Sequence, residues 1–131
     1  MFYGALLAAM AGSGTLVNTQ LSAGALNATA YAVQTAVGMS LVLVNKDATQ
    51  SLDVSIVLPQ TMASATLQQM TQLSAGATTP SLAALSGISI QGATVAADGA
   101  FQPGAAYSLT LNGTQLSCYV PALSAVLIQL T

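Results

Sequence analysis

Residues 51–58 have the sequence SLDVSIVL, in which polar and apolar side chains alternate from Ser51 to Ile56. In an extended strand Leu52, Val54, Ile56 and Leu58 point to one face, and the two hydroxyls and the carboxylate point to the other. The alternation therefore predicts a β-strand with one buried face, and it places Asp53 in solvent.

Eight further stretches are also predicted to be strands. They are rich in Val, Ile, Leu, Thr and Tyr and are separated by Gly, Pro, Asn, Asp and Ser. The nine predicted strands cover residues 15–20, 26–34, 39–45, 51–58, 62–69, 87–90, 107–111, 114–120 and 122–130. Before them, apolar residues recur at helical spacing over 2–11, and Gly12-Ser13-Gly14 ends the run. The predicted fold is all-β, an antiparallel β-sandwich of about 8–9 strands preceded by one short N-terminal helix.

The connections carry turn signals and nearly all of the charge. Asn112-Gly113 predicts a two-residue type I′ turn that joins 107–111 to 114–120 as a hairpin. Lys46 and Asp47 lie in a polar connection, and Asp98 precedes a glycine in another turn. We therefore expect no buried charge in the fold.

Charged residues make up only 3% of the 131 residues, and the chain has no Glu, Arg or His. General acid–base catalysis, metal ligation and phosphate recognition all draw on such side chains. The composition predicts that the chain alone is not an enzyme and has no catalytic residue, cofactor or metal site. Nucleic acid is excluded as a partner for want of a basic patch. A membrane span is excluded because the longest apolar stretch, residues 2–12, has about half of the roughly 20 residues required.

A pair of carboxylates and a thiol are the side chains of this chain that could be reactive, and both have a structural explanation. Asp47 and Asp53 flank one predicted hairpin, but both are expected in solvent, where a raised carboxyl pKa does not arise. Cys118 is the single cysteine and falls on the Leu116/Val120 face of its strand. It is predicted to be a buried free thiol, since no cationic neighbour is present to activate it.

Several segments, in sequence order over nearly the whole chain, resemble the C-terminal part of family 79 glycoside hydrolases, the β-glucuronidase and heparanase relatives. They are FYGALL at 2–7 leading to Gly12, AYAV at 30–33, LVLVNKD at 41–47, VLP at 57–59, PSL at 80–82 with GISI at 87–90, VAADGAFQP at 95–103 and VPALSAVLI at 120–128.

The resemblance implies that residues 1–14 correspond to the last helix of a (β/α)₈ barrel that this chain lacks, and residues 15–131 to the β-sandwich beside it. In that family the catalytic groups are two Glu residues at barrel strand ends. Because this chain has no Glu, no catalytic residue carries over, and Cys118 has no partner within the chain for a disulfide. The implied function is a noncatalytic accessory domain that stabilises a catalytic barrel of an extracellular, secreted glycosidase.

The sequence is also consistent with two alternative functions. A stand-alone carbohydrate-binding module would use Tyr31 as a weak sugar-contact candidate, with Tyr107, Tyr119 and Phe101 as additional aromatics. The second alternative is a self-assembling β-domain, since the predicted strands have few charges that would block edge-to-edge pairing.

Without the barrel, the apolar face of the helix is expected to be bare and to form a barrel or subunit interface. Its residues are Phe2, Tyr3, Leu6, Leu7 and Met10. Asn27-Ala28-Thr29 and Asn112-Gly113-Thr114 match the N-glycosylation pattern, and in a secreted protein both asparagines are expected to be surface acceptors.

Overall fold

The structure, a computed structural model, describes residues 2–73, 76–81, 83–84 and 86–131, with Phe2 described by its backbone alone. Leu82, part of the PSL segment, lies outside the described residues. The described part contains one helix and nine strands, each within three residues of a predicted element. These are α1 (Phe2–Ala11), β1 (Thr15–Val17), β2 (Ala28–Gln34), β3 (Met39–Asn45), β4 (Leu52–Val57), β5 (Ala65–Gln72), β6 (Ile88–Ile90), β7 (Tyr107–Ser108), β8 (Gln115–Val120) and β9 (Ser124–Leu130).

The strands form a large sheet and a small one, and every pair is antiparallel. The large sheet has the order β1-β2-β3-β9-β5-β6, and β7 lies in line with β6 on the same edge of β5. The small sheet is the pair β4–β8. The predicted fold class, an antiparallel β-sandwich after a short helix, is confirmed.

The main hydrophobic core lies between the two sheets. Alternate side chains of β3 and β9 face it from the large sheet, among them Leu41 and Ile128, and Ile56 and Val120 face it from the small one. Cys118 is buried in this core beside Leu116, as the alternation predicted. A strand places every second side chain on the same face, so the apolar positions of the two sheets interdigitate.

A second cluster lies on the opposite face of the large sheet, under α1. Leu7 and Ala11 of the helix pack there against Ile90, Ala125 and Leu127. The expectation that this helix face is bare is wrong, because Leu7 is 3% exposed and Tyr3, Leu6 and Met10 are partly buried against the same cluster. The physical reason lies in β9, SAVLIQL, whose apolar side chains occur on both faces and need cover on both.

Two hydrogen bonds also hold α1 against the rest of the domain. The backbone N–H of Val95 donates to the hydroxyl of Tyr3 at 3.0 Å, and Nε2 of Gln129 donates to the carbonyl of Met10 at 3.2 Å. Among the side chains of α1 that the structure describes, the exposed ones belong to small residues, namely Gly4, Ala5, Ala8 and Ala9.

The predicted hairpin at Asn112-Gly113 is wrong in register and in partner. The backbone N–H of Asn112 donates a hydrogen bond to the carbonyl of Gln115 at 2.8 Å, and the N–H of Gln115 donates to the carbonyl of Asn112 at 3.0 Å. Gly113 and Thr114 therefore form the two-residue loop. Gly113 has a φ of +63°, whereas neither Asn112 nor Thr114 has a positive φ. A positive φ at the first loop position alone is the arrangement of a type II′ turn, and a type I′ turn has it at both positions. The preceding strand, β7, pairs with β5 and not with β8, since the unfilled edge of β5 accepts it.

The connection after β3 also differs from the expected hairpin. β3 belongs to the large sheet and β4 to the small one, so residues 46–51 cross between the two sheets. Asp47 therefore lies on a crossover between the two sheets, whereas Asp53 belongs to β4, which pairs with β8.

Candidate functional site

The three carboxylates occupy separate parts of the fold. Oδ1 of Asp47 accepts hydrogen bonds from the backbone N–H groups of Thr49 and Gln50, both at 2.9 Å, and these donors lower the pKa of Asp47. Asp98 accepts from the backbone of Ala100 at 2.9 Å, and Asp53 is exposed on β4. Asp47 and Asp98 thus cap turns, as their loop positions predicted.

The described ranges contain no group of three or more His, Cys, Asp or Glu side chains that could hold a metal ion. Burial raises the pKa of Cys118 to about 11. At neutral pH this side chain is a thiol, and the thiolate is the form that attacks electrophiles and binds metals.

Asn45 is a buried polar residue whose role the sequence pattern did not reveal. Its side chain is 1% exposed, and Nδ2 lies within hydrogen-bonding distance of the carbonyls of Gln50, Val120 and Pro121 at 2.8, 3.3 and 3.0 Å. Its Oδ1 accepts from the backbone N–H of Asp47 at 3.0 Å. Asn45 thereby joins the end of β3 to the crossover and to the end of β8. The one signal in the sequence is an amide directly after the apolar run at 41–44.

The exposed aromatic side chains do not form one platform. Tyr31 and Tyr119 are each 55% exposed, but Tyr31 lies on the α1 side of the large sheet, whereas Tyr119 lies on the outer face of the small sheet. Tyr107 is exposed on β7 at the edge of β5, and Phe101 packs against the cluster under the helix. The predicted set around Tyr31 is therefore divided between opposite sides of the sandwich.

The outer face of the small sheet has a depression that is lined by both polar and apolar residues. One cavity of about 400 Å³ is lined by Asp53, Val54, Ser55, Leu109, Ser117, Cys118 and Tyr119. A second cavity of about 410 Å³ continues it and shares Ser55 and Ser117 with the first. An exposed phenol ring, a carboxylate and several hydroxyls line this groove, so it can contact an apolar surface and bond polar groups together.

The two predicted glycosylation positions, Asn27 and Asn112, are both exposed. Asn27 lies just before β2, where its backbone carbonyl accepts from the N–H of Lys46 at 2.8 Å. Asn112 lies at the tight turn before β8. Within the described part of the chain, no helix is both long and apolar enough to cross a membrane.

Comparison of the fold with solved structures finds parts of several glycoside hydrolases. A 4-O-α-L-rhamnosyl-β-D-glucuronidase from Fusarium oxysporum 12S matches over 98% of this chain and 29% of its own, with a TM-score of 0.68 and 20% identity. The catalytic domain of GH30 xylanase C from Talaromyces cellulolyticus matches over 88% and 20%, with a TM-score of 0.53 and 20% identity. A GH51 arabinofuranosidase from Xanthomonas axonopodis pv. citri matches over 89% and 21%, with a TM-score of 0.53 and 19% identity.

No protein-family model matches the chain, and no curated protein sequence matches it. At about 20% identity the structural likeness establishes a shared fold. The chain spans less than a third of the length of each of these three structures.

Proposed function

We propose that this chain is a noncatalytic accessory domain of a glycoside hydrolase, related to the C-terminal β-sandwich of family 79, and that it stabilises a (β/α)₈ barrel outside this sequence. The observation that carries the proposal is the match to the rhamnosyl-glucuronidase, in which nearly the whole chain superposes on less than a third of a larger enzyme. The residue patterns that resemble family 79 run through the same region.

The distribution of carboxylates supports a noncatalytic role. A retaining glycosidase needs two carboxyl groups about 5–5.5 Å apart, one of them with a raised pKa. Asp47 instead has a lowered pKa and holds a turn, and Asp98 caps another turn. The catalytic pair therefore belongs, in this proposal, to the barrel.

The outer face of α1 is the proposed contact with the barrel. The inner face of the helix is occupied by the large sheet of the same chain, while Gly4, Ala5, Ala8 and Ala9 are exposed. These four residues bring no charge and little bulk, so the backbone of a neighbouring element can approach closely. The proposed interface thus lies on the opposite side of the helix from the side chains that the sequence pattern singled out.

The coding sequence upstream of Met1 tests the proposal directly. We expect an in-frame segment of roughly 250 residues, the usual length of such a barrel, with Glu residues at the ends of two strands. An in-frame stop codon immediately before Met1 would overturn it. In that case light scattering on the isolated chain would decide whether the exposed helix face drives self-association instead.

A substitution then tests the proposed contact. In the full-length enzyme, Ala8→Arg is expected to lower the melting temperature, because the side chain cannot fit a close helix contact, while the isolated domain keeps its stability since Arg is a good helix former. Ala97→Arg, at an exposed turn position, is the matched control. Equal melting temperatures for the two full-length variants would place the barrel contact elsewhere.

We also propose that the parent protein is secreted and that Asn27 and Asn112 carry glycans. Both side chains are accessible, and attached sugars would solubilise a surface that has few charges. Intact mass measurement on protein from the native source should show hexose-bearing species that disappear in the Asn27→Gln/Asn112→Gln double variant. A mass equal to that of the bare polypeptide would refute this part.

A further inference from the structure

The outer face of the small sheet has a defined set of side chains, here called the small-sheet face. Its six residues are Asp53, Ser55, Val57, Gln115, Ser117 and Tyr119, and all six are exposed. The register pairs them across the two strands, with Asp53 opposite Tyr119, Ser55 opposite Ser117 and Val57 opposite Gln115. The intervening residues of both strands point into the main core, which fixes the direction of these six.

The two cavities on the small-sheet face form one groove, because both are lined by Ser55 and Ser117. From Asp53 to Val57 the groove follows the strands for roughly 13 Å, at about 3.3 Å per residue. Leu109, Thr110 and Asn112, which precede β8, line it from the side. The groove is therefore elongated and open, with room for an extended ligand.

The chemistry of the groove is that of a site for a ring-shaped ligand rich in hydroxyl groups. Directly opposed residues of an antiparallel pair have Cβ atoms about 4.5–5.5 Å apart, so the Tyr119 ring and the Asp53 carboxylate can contact the same ligand unit. An exposed phenol ring offers an apolar surface to the C–H face of a sugar, and the carboxylate accepts bonds from its hydroxyls. Ser55, Ser117 and Gln115 add donors and acceptors farther along the groove.

The charge of the small-sheet face distinguishes neutral sugars from acidic sugars as candidate ligands. Asp53 is the one charged side chain among the six, and it is negative. A uronic acid residue would bring a second carboxylate beside it, which costs free energy at short distance. A neutral sugar brings only hydroxyl groups, which a carboxylate binds as an acceptor.

We propose that the small-sheet face is a binding site for a neutral oligosaccharide, with Tyr119 as the stacking residue and Asp53 as the hydrogen-bond acceptor. The small sheet packs on one side of the large sheet and α1 packs on the other. The site therefore faces away from the proposed barrel contact, and it goes beyond the stabilising role without depending on it. If oligosaccharide binding is lost, stabilisation of the barrel can still be measured, and the reverse also holds.

Titration of the ¹⁵N-labelled chain with cellohexaose, xylohexaose and mannohexaose, followed by amide chemical shifts, tests the site. At least one of these neutral probes is expected to shift the amides of β4 and β8, and hexagalacturonate is expected to bind more weakly. Absence of shifts with all three neutral probes at millimolar concentration would overturn the proposal. Tighter binding of hexagalacturonate would overturn it as well.

Two tyrosines with the same exposure on opposite sides of the sandwich provide a matched control. Tyr119→Ala is expected to weaken binding of the neutral probe about tenfold, whereas Tyr31→Ala should leave it within about twofold. Tyr119→Phe retains the ring and should restore most of the affinity. If Tyr31→Ala abolishes binding while Tyr119→Ala does not, the site assignment is wrong.

Asp53→Asn tests independently whether the carboxylate of Asp53 disfavours acidic ligands. The variant removes the repulsion of a second carboxylate, so it should reduce the preference for the neutral hexamer over hexagalacturonate. An unchanged preference would contradict the role assigned to Asp53. Light scattering and amide hydrogen exchange on the free chain complete the test, because a dimer whose formation protects the Tyr119 amide would identify the face as a contact between copies and would overturn the proposal.

Discussion

Asn45, the last residue of β3, has its side-chain Nδ2 3.0 Å from the carbonyl oxygen of Pro121, the residue that follows β8. This relationship connects the large sheet to the small one through an amide that is almost completely buried. The same amide also holds the crossover through Gln50 and the N–H of Asp47. One side chain thus links the two sheets and the crossover at this end of the sandwich.

Asn45→Ala is expected to lower the free energy of unfolding by at least about 2 kcal/mol, because it leaves buried carbonyl groups without their donor. Urea denaturation followed by circular dichroism measures the change. Asn27→Ala is the control, since Asn27 is exposed and its backbone carbonyl still accepts from Lys46. Equal stability of the two variants would show that the Asn45 amide does not hold the sheets together.

Leu7→Ala should destabilise the chain by about 2–5 kcal/mol, the usual range for a buried leucine, because the side chain fills the space between α1 and β9. The measurement is a chemical denaturation curve. Leu16→Ala, on the exposed surface of β1, is expected to change stability by less than about 0.5 kcal/mol. A small effect at Leu7 would mean that the helix does not dock on its own sheet.

Asp47 predicts a specific dependence of stability on pH. Its pKa in the folded chain is lowered from 3.8 by backbone donors, so its contribution is present above that value and is lost as the pH falls through the folded pKa. Asp47→Asn keeps an acceptor oxygen but no charge. The stability difference between wild type and this variant should therefore be constant near neutral pH and shrink below about pH 3.8. A difference that stays the same down to pH 2 would contradict the assignment.

Cys118 should react slowly with thiol reagents in the folded chain. Its pKa is raised from 9.0 to about 11, which at pH 8 lowers the thiolate fraction roughly 100-fold, and its side chain lies in the core. Ellman's reagent should therefore label it at least about 100-fold faster in concentrated urea than in buffer. Similar rates in both solvents would show that the thiol is accessible in the folded protein.

The identity of the elements could be predicted from local pattern. The alternation in 51–58 and the apolar spacing in 2–11 depend on nearest neighbours along the chain, and such periodicity alone distinguishes strand from helix. The buried position of Cys118 and the exposure of Asp53 follow from the same alternation. These features need no knowledge of which strands pair.

The groove on the small-sheet face could not be predicted in the same way. It depends on the pairing of β4 with β8, which are separated by more than fifty residues of sequence, and on the placement of 109–112 beside them. The tyrosines show the same limit, since local pattern places Tyr31 and Tyr119 on strands but does not show that the two strands lie in different sheets.

By itself the sequence determined that the chain is an antiparallel β-rich domain with a short helix, and its lack of Glu and His determined which side chains are available for chemistry. Only the tertiary structure decided that α1 packs on its own sheet, that Asn45 joins the two sheets and that Asp53 stands opposite Tyr119. The reason is physical: strand and helix formation depend on the spacing of neighbouring side chains, whereas pairing and docking depend on surfaces that exist only after distant segments have come together.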